Sequence, residues 1–245
     1  QAQAVRDVVA FFSKRHTRVM LVKGVALDAV VYDNPWYTMA ADADLLIDAP
    51  FRSLNQSEAV TLDKIIRGRR VELDYVNHHD LDMNNVLDID YARVWTDAQP
   101  ILFRGEATYV MSPEDMLLAA CVNLCRKRFQ QLKAMTAIRE IATKYPDVDW
   151  TRLREIAHAA GATRILYAAL TITSYLLDWH APDHVWPEAE IGRARKWLIN
   201  HLCRRIGDHI SRIPIILDEP FGIMVRSELL RWMTYEVGQF RREMR

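Results

Sequence analysis

The stretch Met39–Asp48, MAADADLLID, places two aspartates two residues apart at the start of an apolar run. The run ADLLI (43–47) is typical of a buried strand, and residues two apart on a strand point to the same face. Asp42 and Asp44 should therefore project together, although an unpaired charge is costly to bury. Two neighbouring carboxylates also repel each other. The pattern predicts a compensating cation, and a metal ion is the first candidate.

A second acidic pair follows in the run RVELDYV (70–76), which alternates apolar and polar residues as a half-buried strand does. Glu72 and Asp74 share one face of that strand. If the two strands are neighbours, three or four carboxylates meet on one patch, and Mg²⁺ suits such oxygen ligands. Two ions about 3.5–4 Å apart would form a clamp for in-line phosphoryl displacement. The alternative for both pairs is a polar strand face turned to solvent.

The composition limits the classes of protein to which the chain can belong. Half of its 245 residues are hydrophobic, which is enough to form a core, and the formal net charge is zero. A neutral chain lacks the basic surface of a general nucleic-acid binder, although a local basic patch is still compatible with it. No apolar run of about 18 residues indicates a membrane span. We expect a cytoplasmic protein, in which Cys121, Cys125 and Cys203 are reduced, buried thiols.

The distribution of patterns predicts an α+β fold with two domains, residues 1–111 and 112–245. The first should contain a small mixed sheet of two or three strands with flanking helices, and a short hairpin at 100–111. The second should be mostly helical. Its helices are predicted at 113–128, 131–145, 149–160, 162–178, 187–206 and 225–242. The last of these is amphipathic, which suits packing on the protein body or on a second copy in a homodimer.

Upstream of the first acidic pair, LVKGVALDAV (21–30) has the pattern of a strand, a Lys-Gly turn and a helix. A helix N-terminus offers free backbone N–H groups and the positive end of the helix dipole. Gly24 would let a phosphate approach the backbone closely, and Lys23 would add a positive charge. Together with Asp-x-Asp, these features suit a metal–triphosphate complex. The alternative for Lys23 is an ordinary surface lysine.

The longer run LVKGVALDAVVYDNPWYTMAADADLLI (21–47) resembles the opening motif of the uncharacterised nucleotidyltransferase family, which lies within the DNA polymerase β-like superfamily. That motif reads approximately Leu-Lys-Gly-x-Ala-Leu, then Tyr, then Pro, then Asp-x-Asp-Leu-Leu-Val. VELDY (71–75) resembles the family's strand that carries a third acid. The runs 110–138 and 147–170 resemble its helical continuation. The resemblance extends over about residues 5–180.

The resemblance implies transfer of a nucleoside monophosphate from a nucleoside triphosphate, such as ATP, to an acceptor, with release of pyrophosphate. Two Mg²⁺ ions, or Mn²⁺ in their place, would serve as cofactors of this EC 2.7.7-like enzyme. Asp42, Asp44 and Glu72 would be the catalytic acids, and with Asp74 they would form the metal set. Asp42→Asn or Asp44→Asn is therefore expected to abolish activity. Either change should leave the fold intact or more stable, because it relieves the repulsion between the acids.

The implied phosphate-binding residues include two from a second region. Lys23 and Gly24 match the phosphate-side motif, and the basic cluster CRKRF (125–129) adds Arg126 and Lys127 as candidates. The alternative for the cluster is structural, because basic residues stabilise the C-terminal end of a helix dipole.

The sequence departs from the family motif at three positions. Val25 replaces a superfamily Ser, Thr38 replaces a frequent Arg, and Ala137 replaces a frequent Asp. The losses at Thr38 and Ala137 motivate the alternative of a catalytically degenerate module that binds a nucleotide or a partner protein, whereas the family often lacks the Ser at position 25. A toxin-type enzyme acting on tRNA is a third hypothesis, because 193–205 is rich in basic residues. Zero net charge disfavours that hypothesis, so a small molecule, peptide or protein is preferred to RNA as the acceptor.

Two further polar runs are interpreted as structural. In NHHDLD (77–82), adjacent histidines on a strand would face opposite ways, so His78 and His79 are poorly placed to bind one metal. The run LDID (87–90) is a second Asp-x-Asp, but helix capping by Asp88 or Asp90 explains it better.

Overall fold

The structure is a computed structural model that describes residues 1–32, 42–50, 54–75, 87–129, 131–182 and 191–208, with side chains to residue 204 in the last range. The described residues divide into two units by their contacts. The first unit contains those up to residue 75 together with 90–112, and the second contains 87–89 and those from 113 onward.

The first unit combines five strands and four helices within its described residues. They are α1 (Ala2–Ser13), β1 (Val19–Val22), α2 (Lys23–Val30), β2 (Ala43–Ile47), α3 (Gln56–Ile66), β3 (Val71–Tyr75), α4 (Tyr91–Thr96), β4 (Gln99–Phe103) and β5 (Glu106–Val110). The strands form one mixed sheet in the order β3-β2-β1-β5-β4. The pairs β1–β2 and β4–β5 are antiparallel, whereas β2–β3 and β1–β5 are parallel.

This architecture confirms the predicted α+β class and the mixed sheet, and the three strands β1, β2 and β3 agree with the two or three expected outside the hairpin. The hairpin does not stand apart, because β5 pairs with β1 and so extends the same sheet. The hydroxyl of Thr108 reinforces this pairing by donating a hydrogen bond of 2.8 Å to the carbonyl oxygen of Val19. Thr108 and Val19 are 89 residues apart in the sequence, so no local sequence pattern predicts their contact.

The core of the first unit lies on one face of the sheet. Helix α1 packs against β1, β5 and α3, and α2 packs against β1 and β2. The alternate strand residues that face this core are apolar, among them Leu21, Leu45, Ile47, Val71 and Val110. Because side chains alternate along a strand, the intervening residues lie on the opposite face. That opposite face contains Asp44.

The second unit is helical throughout its described residues. It consists of α5 (Pro113–Arg126), α6 (Leu132–Lys144), α7 (Trp150–Ala159), α8 (Thr163–Leu177) and α9 (Arg193–Asp208). Helix α5 packs against α6, α7 and α8, and α8 also packs against α9. The predicted helices agree with these bounds to within a few residues at their described ends, and the predicted start of the helix at 187–206 lies outside the described residues. The predicted helix at 225–242 lies outside the described residues.

The three cysteines are buried in the second unit, as predicted. Burial raises the pKa of the Cys121 thiol, with a smaller contribution from nearby Cys125, and raises the pKa of Cys203 to about 12. The thiols of Cys121 and Cys203 are therefore protonated in the folded protein. No helix in the described ranges is both long and apolar enough to cross a bilayer.

Candidate functional site

The register of three strands places acidic residues side by side on the face opposite the core. In the parallel pair β2–β3, Asp44 is the partner of Glu72, and Leu46 is the partner of Asp74. The two acid-bearing strands are therefore neighbours, which is the condition for their carboxylates to meet on one patch. In the antiparallel pair β1–β2, Asp44 is the partner of Val22. Asp44 thus lies between the start of β3 and the end of β1, where α2 begins.

Asp44 is buried, and its charge is compensated by Lys23. The Lys23 Nζ lies 2.5 Å from Asp44 Oδ1, with the lysine side chain 23% exposed and the aspartate side chain 8% exposed. A buried carboxylate needs such a partner, because leaving it unpaired is strongly destabilising. The compensating cation that the sequence pattern predicts is, in this structure, the ammonium group of Lys23.

Lys23 occupies this position through an unusual backbone conformation. Its φ is 52°, in the left-handed region, at the junction between β1 and α2. For a residue with a Cβ atom this conformation costs roughly 1–2 kcal/mol. Such strained residues persist where the surrounding structure fixes them, and they cluster at functional sites. The strained junction aims the ammonium group at Asp44 rather than away from the sheet.

The start of α2 lies directly beside this ion pair, since Lys23 is the first residue of the helix. The N-cap residue is Val22, whose side chain has no hydrogen-bond acceptor and makes no capping bond. Gly24 is the second residue of the helix, and Val25, which follows, is buried. An anion is the natural partner for such a terminus, because N–H groups and the helix dipole both favour negative charge.

The acidic residues have the right chemistry for a hard divalent cation, although they do not form a finished ligand set in the described part of the chain. Carboxylate oxygens suit Mg²⁺. Asp42 is partly buried just before β2, Asp44 is buried, and Glu72 is exposed. Nevertheless, no group of three or more His, Cys, Asp or Glu residues within the described ranges is arranged to hold a metal. The carboxylates are therefore the kind of ligand that Mg²⁺ prefers. One oxygen of Asp44 already forms an ion pair with Lys23.

The far end of the same face is closed by a different ion pair. Arg18 lies 2.6 Å from Asp48, at the other end of β2, and its guanidinium stacks 4.7 Å from the Trp95 ring. Tyr109 lies next to Trp95, with 6.1 Å between ring centroids. Asp48 is four residues from Asp44, or about 13 Å along an extended strand. Because Arg18, Trp95 and Tyr109 occupy the end of the face near Asp48, the candidate site lies at the end near Asp44.

The other predicted residues fall in separate places. Arg126 is the last residue of α5 and Lys127 follows it, both in the second unit. Asp90 caps α4, since its side chain accepts a hydrogen bond from the backbone N–H of Arg93 at 3.0 Å, as predicted. Ala137 is a buried residue of α6. Outside the described residues lie Thr38, His78, His79 and Asp80.

A family model for an uncharacterised nucleotidyltransferase matches residues 1–178, well over half of the chain. The chain belongs to this uncharacterised nucleotidyltransferase family. The matched region contains β1, α2, β2 and β3, which position the candidate site of this family member. The expected resemblance is thereby confirmed, and membership supports a nucleotidyltransferase in the general sense. No curated protein and no solved structure matches the chain.

The contact that sequence reasoning missed in this nucleotidyltransferase is the one between Lys23 and Asp44. Lys23 was expected to bind phosphate, and nothing in the local sequence links it to Asp44. The antiparallel register that pairs Val22 with Asp44 brings them together, and the left-handed turn at Lys23 completes the contact. A prediction that β1 and β2 pair antiparallel would have placed Lys23 close to Asp44.

Proposed function

We propose that this nucleotidyltransferase transfers a nucleoside monophosphate from a nucleoside triphosphate to the hydroxyl of an acceptor, in a magnesium-dependent reaction. The acceptor oxygen attacks the α-phosphorus, the bond from that phosphorus to the bridging oxygen breaks, and pyrophosphate leaves. The observation that carries this proposal is the side-by-side placement of Asp44 and Glu72 next to the β1–α2 junction.

The acidic residues take distinct roles in this proposal. Asp42 and Asp44 hold the metal, with Glu72 and Asp74 completing the set. When bound, Mg²⁺ would neutralise charge on the phosphates and on the leaving pyrophosphate. Exposed Glu72 is the residue that takes the proton of the acceptor hydroxyl, because it is open to an incoming acceptor whereas Asp44 is buried.

The phosphate chain is assigned to the start of α2. The uncapped backbone N–H groups after Val22 would bind phosphate oxygens, and Gly24 presents no side chain to obstruct them. Lys23 would add its charge to the same phosphates. Arg126 and Lys127, at the end of α5, are proposed as phosphate ligands on the basis of their charge alone.

The acceptor is proposed to be a small molecule, a peptide or a protein rather than RNA. A net charge of zero supports this preference, since RNA binding depends on a basic surface. A cytoplasmic location and a homodimer formed through the predicted segment 225–242, which lies outside the described residues, belong to the same proposal.

Transfer of label from α-³²P-labelled triphosphates tests the proposed reaction. Each of the four triphosphates is incubated with Mg²⁺ and with small-molecule, peptide, protein or RNA acceptors in separate pools. We expect one pool to become labelled, and Asp44→Asn to reduce the rate by about 10²-fold or more, as for loss of other groups that stabilise transition-state charge. Asp48→Asn is the matched control, because Asp48 directly follows the same strand and also has a basic partner, Arg18. Equal labelling by wild type and Asp44→Asn would reject the site.

A second candidate function is nucleotide binding without transfer. Two observations favour it: Lys23 already engages Asp44, and the family position of Ala137 is apolar and buried. Metal-dependent triphosphate binding together with no labelling of any acceptor pool, and no pyrophosphate release, would support this module over the enzyme.

A further inference from the structure

We propose that Lys23 is a displaceable counter-ion of Asp44, which hinders binding of a divalent cation by itself and admits the cation when a triphosphate binds. The inference rests on the proposed function, since it concerns the same carboxylate. It assigns to Lys23 a role in coupling metal binding to nucleotide binding, in addition to a contact with phosphate.

The first support is the competition that the ion pair creates. A divalent cation on Asp44 would lie close to the Lys23 ammonium, which is 2.5 Å from Oδ1. Like charges at such separations repel strongly when they are shielded from water, and the aspartate side chain is only 8% exposed. Metal binding at Asp44 therefore requires Lys23 to leave or to find another anion.

The second support is that Lys23 has another place to go. Lys23 is the first residue of α2, directly before Gly24. The N-cap residue, Val22, makes no side-chain capping bond to the backbone N–H groups of this helix start. Phosphates bound there would lie beside the lysine stem. The stem is flexible and 23% exposed, whereas the left-handed backbone fixes its origin. The ammonium can thus move between carboxylate and phosphate without a change of fold.

A purely structural ion pair would behave differently. It would stabilise the fold but would not link the affinities of two ligands. In the proposed arrangement the triphosphate removes the competitor of the metal, and the metal in turn strengthens triphosphate binding by the same factor, because such coupling is reciprocal.

Calorimetry with Mn²⁺ alone, with each triphosphate in EDTA, and with both together tests this inference. Lys23→Met removes the competing charge, and Lys14→Met, an exposed lysine of the same unit, is the matched control. We expect Lys23→Met to bind Mn²⁺ alone more tightly than wild type does, within the about 5–150-fold range typical of coupling between sites. The gain in metal affinity on adding triphosphate should shrink by a similar factor.

Lys23→Arg provides a second variant that retains the positive charge and therefore the fold. A guanidinium can bind a carboxylate through two parallel hydrogen bonds, so it should hold Asp44 more firmly than lysine does. We expect Mn²⁺ alone to bind Lys23→Arg more weakly than wild type. If Lys23→Met fails to fold, the weaker binding of Mn²⁺ by Lys23→Arg still tests the counter-ion role of Lys23.

Distinct outcomes would overturn the inference and the proposed function. Unchanged affinity for Mn²⁺ alone in both Lys23 variants, with metal-dependent triphosphate binding retained in wild type, would overturn the counter-ion role and leave the proposed function standing. Failure of wild type to bind any triphosphate in the presence of the metal would overturn both.

Discussion

At the scale of single residues, the charge of Asp44 affects stability through its ion pair with Lys23. The sequence alone suggested that Asp44→Asn would leave the fold intact or more stable, because neighbouring carboxylates repel. The ion pair with Lys23 reverses this expectation, since the neutral variant removes the carboxylate that compensates a partly buried ammonium. We expect a loss of about 1–2 kcal/mol in the free energy of unfolding, between the values for surface and buried pairs.

Urea unfolding measures this loss, and a double-mutant cycle isolates its cause. Adding Lys23→Met to Asp44→Asn removes both charges, so the double variant should be more stable than the sum of the two single effects indicates. Asp44→Asn with stability equal to or above that of wild type would contradict the pairing.

The backbone at Lys23 gives a second prediction at this scale. Lys23→Gly and Lys23→Ala both lose the ammonium, but glycine adopts a φ of 52° without strain. We expect Lys23→Gly to be more stable than Lys23→Ala by about 1 kcal/mol, judged from the usual cost of the left-handed conformation. Ordinary helix positions show the opposite order, so Ala29→Gly within α2 should be destabilising by about 1 kcal/mol. Thermal or urea unfolding of the three variants tests the reversal of sign.

At the residue scale, the sequence was enough to place the acids of each strand on one face, but it did not predict the contact between Lys23 and Asp44. Alternation along a strand is a strict local rule, so the sequence by itself is enough to place Asp44 on the face away from the apolar residues. The position of Lys23 depends on the register with β2 and on a left-handed φ. Neither property is encoded in the residues next to it.

At the scale of elements, the β4–β5 hairpin offers a test of turn chemistry. Its two central residues, Arg104 and Gly105, have φ values of 51° and 85°. Turns with positive φ at both positions favour Asn-Gly. Arg104→Asn should therefore stabilise the first unit by about 0.5–1 kcal/mol, and Gly105→Ala should destabilise it by about 1–2 kcal/mol. An added Cβ at Gly105 meets no atom within 4 Å, so the effect would come from the backbone alone.

Urea midpoints of the two hairpin variants provide the measurement. Equal effects of the same sign in both would show that side-chain contacts rather than backbone strain dominate this turn.

The buried thiols of α5 and α9 give a pH dependence for the helical unit. Burial raises the pKa of Cys121, and that of Cys203 to about 12, so both stay protonated in the folded state. Unfolded thiols lose their protons near pH 8.5. The unfolded state then binds fewer protons, so stability is full below about pH 8.5 and falls above it, by about 1.4 kcal/mol per pH unit for each thiol.

Urea unfolding at pH 8, 9 and 10 tests this dependence. Cys121→Ala and Cys203→Ala should each lower stability at every pH by removing packing, but should make the alkaline decline less steep. A decline that is equally steep in wild type and both variants would mean that the thiols do not cause it.

The elements themselves were predictable to different degrees. Helices of the second unit follow from apolar periodicity and from local stop signals, which act over a few residues. The order of the sheet was not predictable, because β1 pairs with β5 across about ninety residues of chain. Strand identity is a local property, whereas strand order is set by the whole unit.

At the scale of the whole molecule, the zero net charge and the placement of the acids favour binding of a compact anion over binding of a long one. A triphosphate with its metal requires only one local set of charges, whereas nucleic acid requires an extended basic surface. Family membership over residues 1–178 agrees with the general nucleotidyltransferase function.

The most direct test of the central claim is calorimetric titration of each triphosphate into wild type, Asp44→Asn and Asp48→Asn, with Mg²⁺ and with EDTA. The account predicts that at least one triphosphate binds wild type only when Mg²⁺ is present. This binding should be lost in Asp44→Asn and kept in Asp48→Asn, whose aspartate pairs with Arg18 at the other end of β2. Binding that is independent of the metal, or that is equal in wild type and Asp44→Asn, would contradict the account.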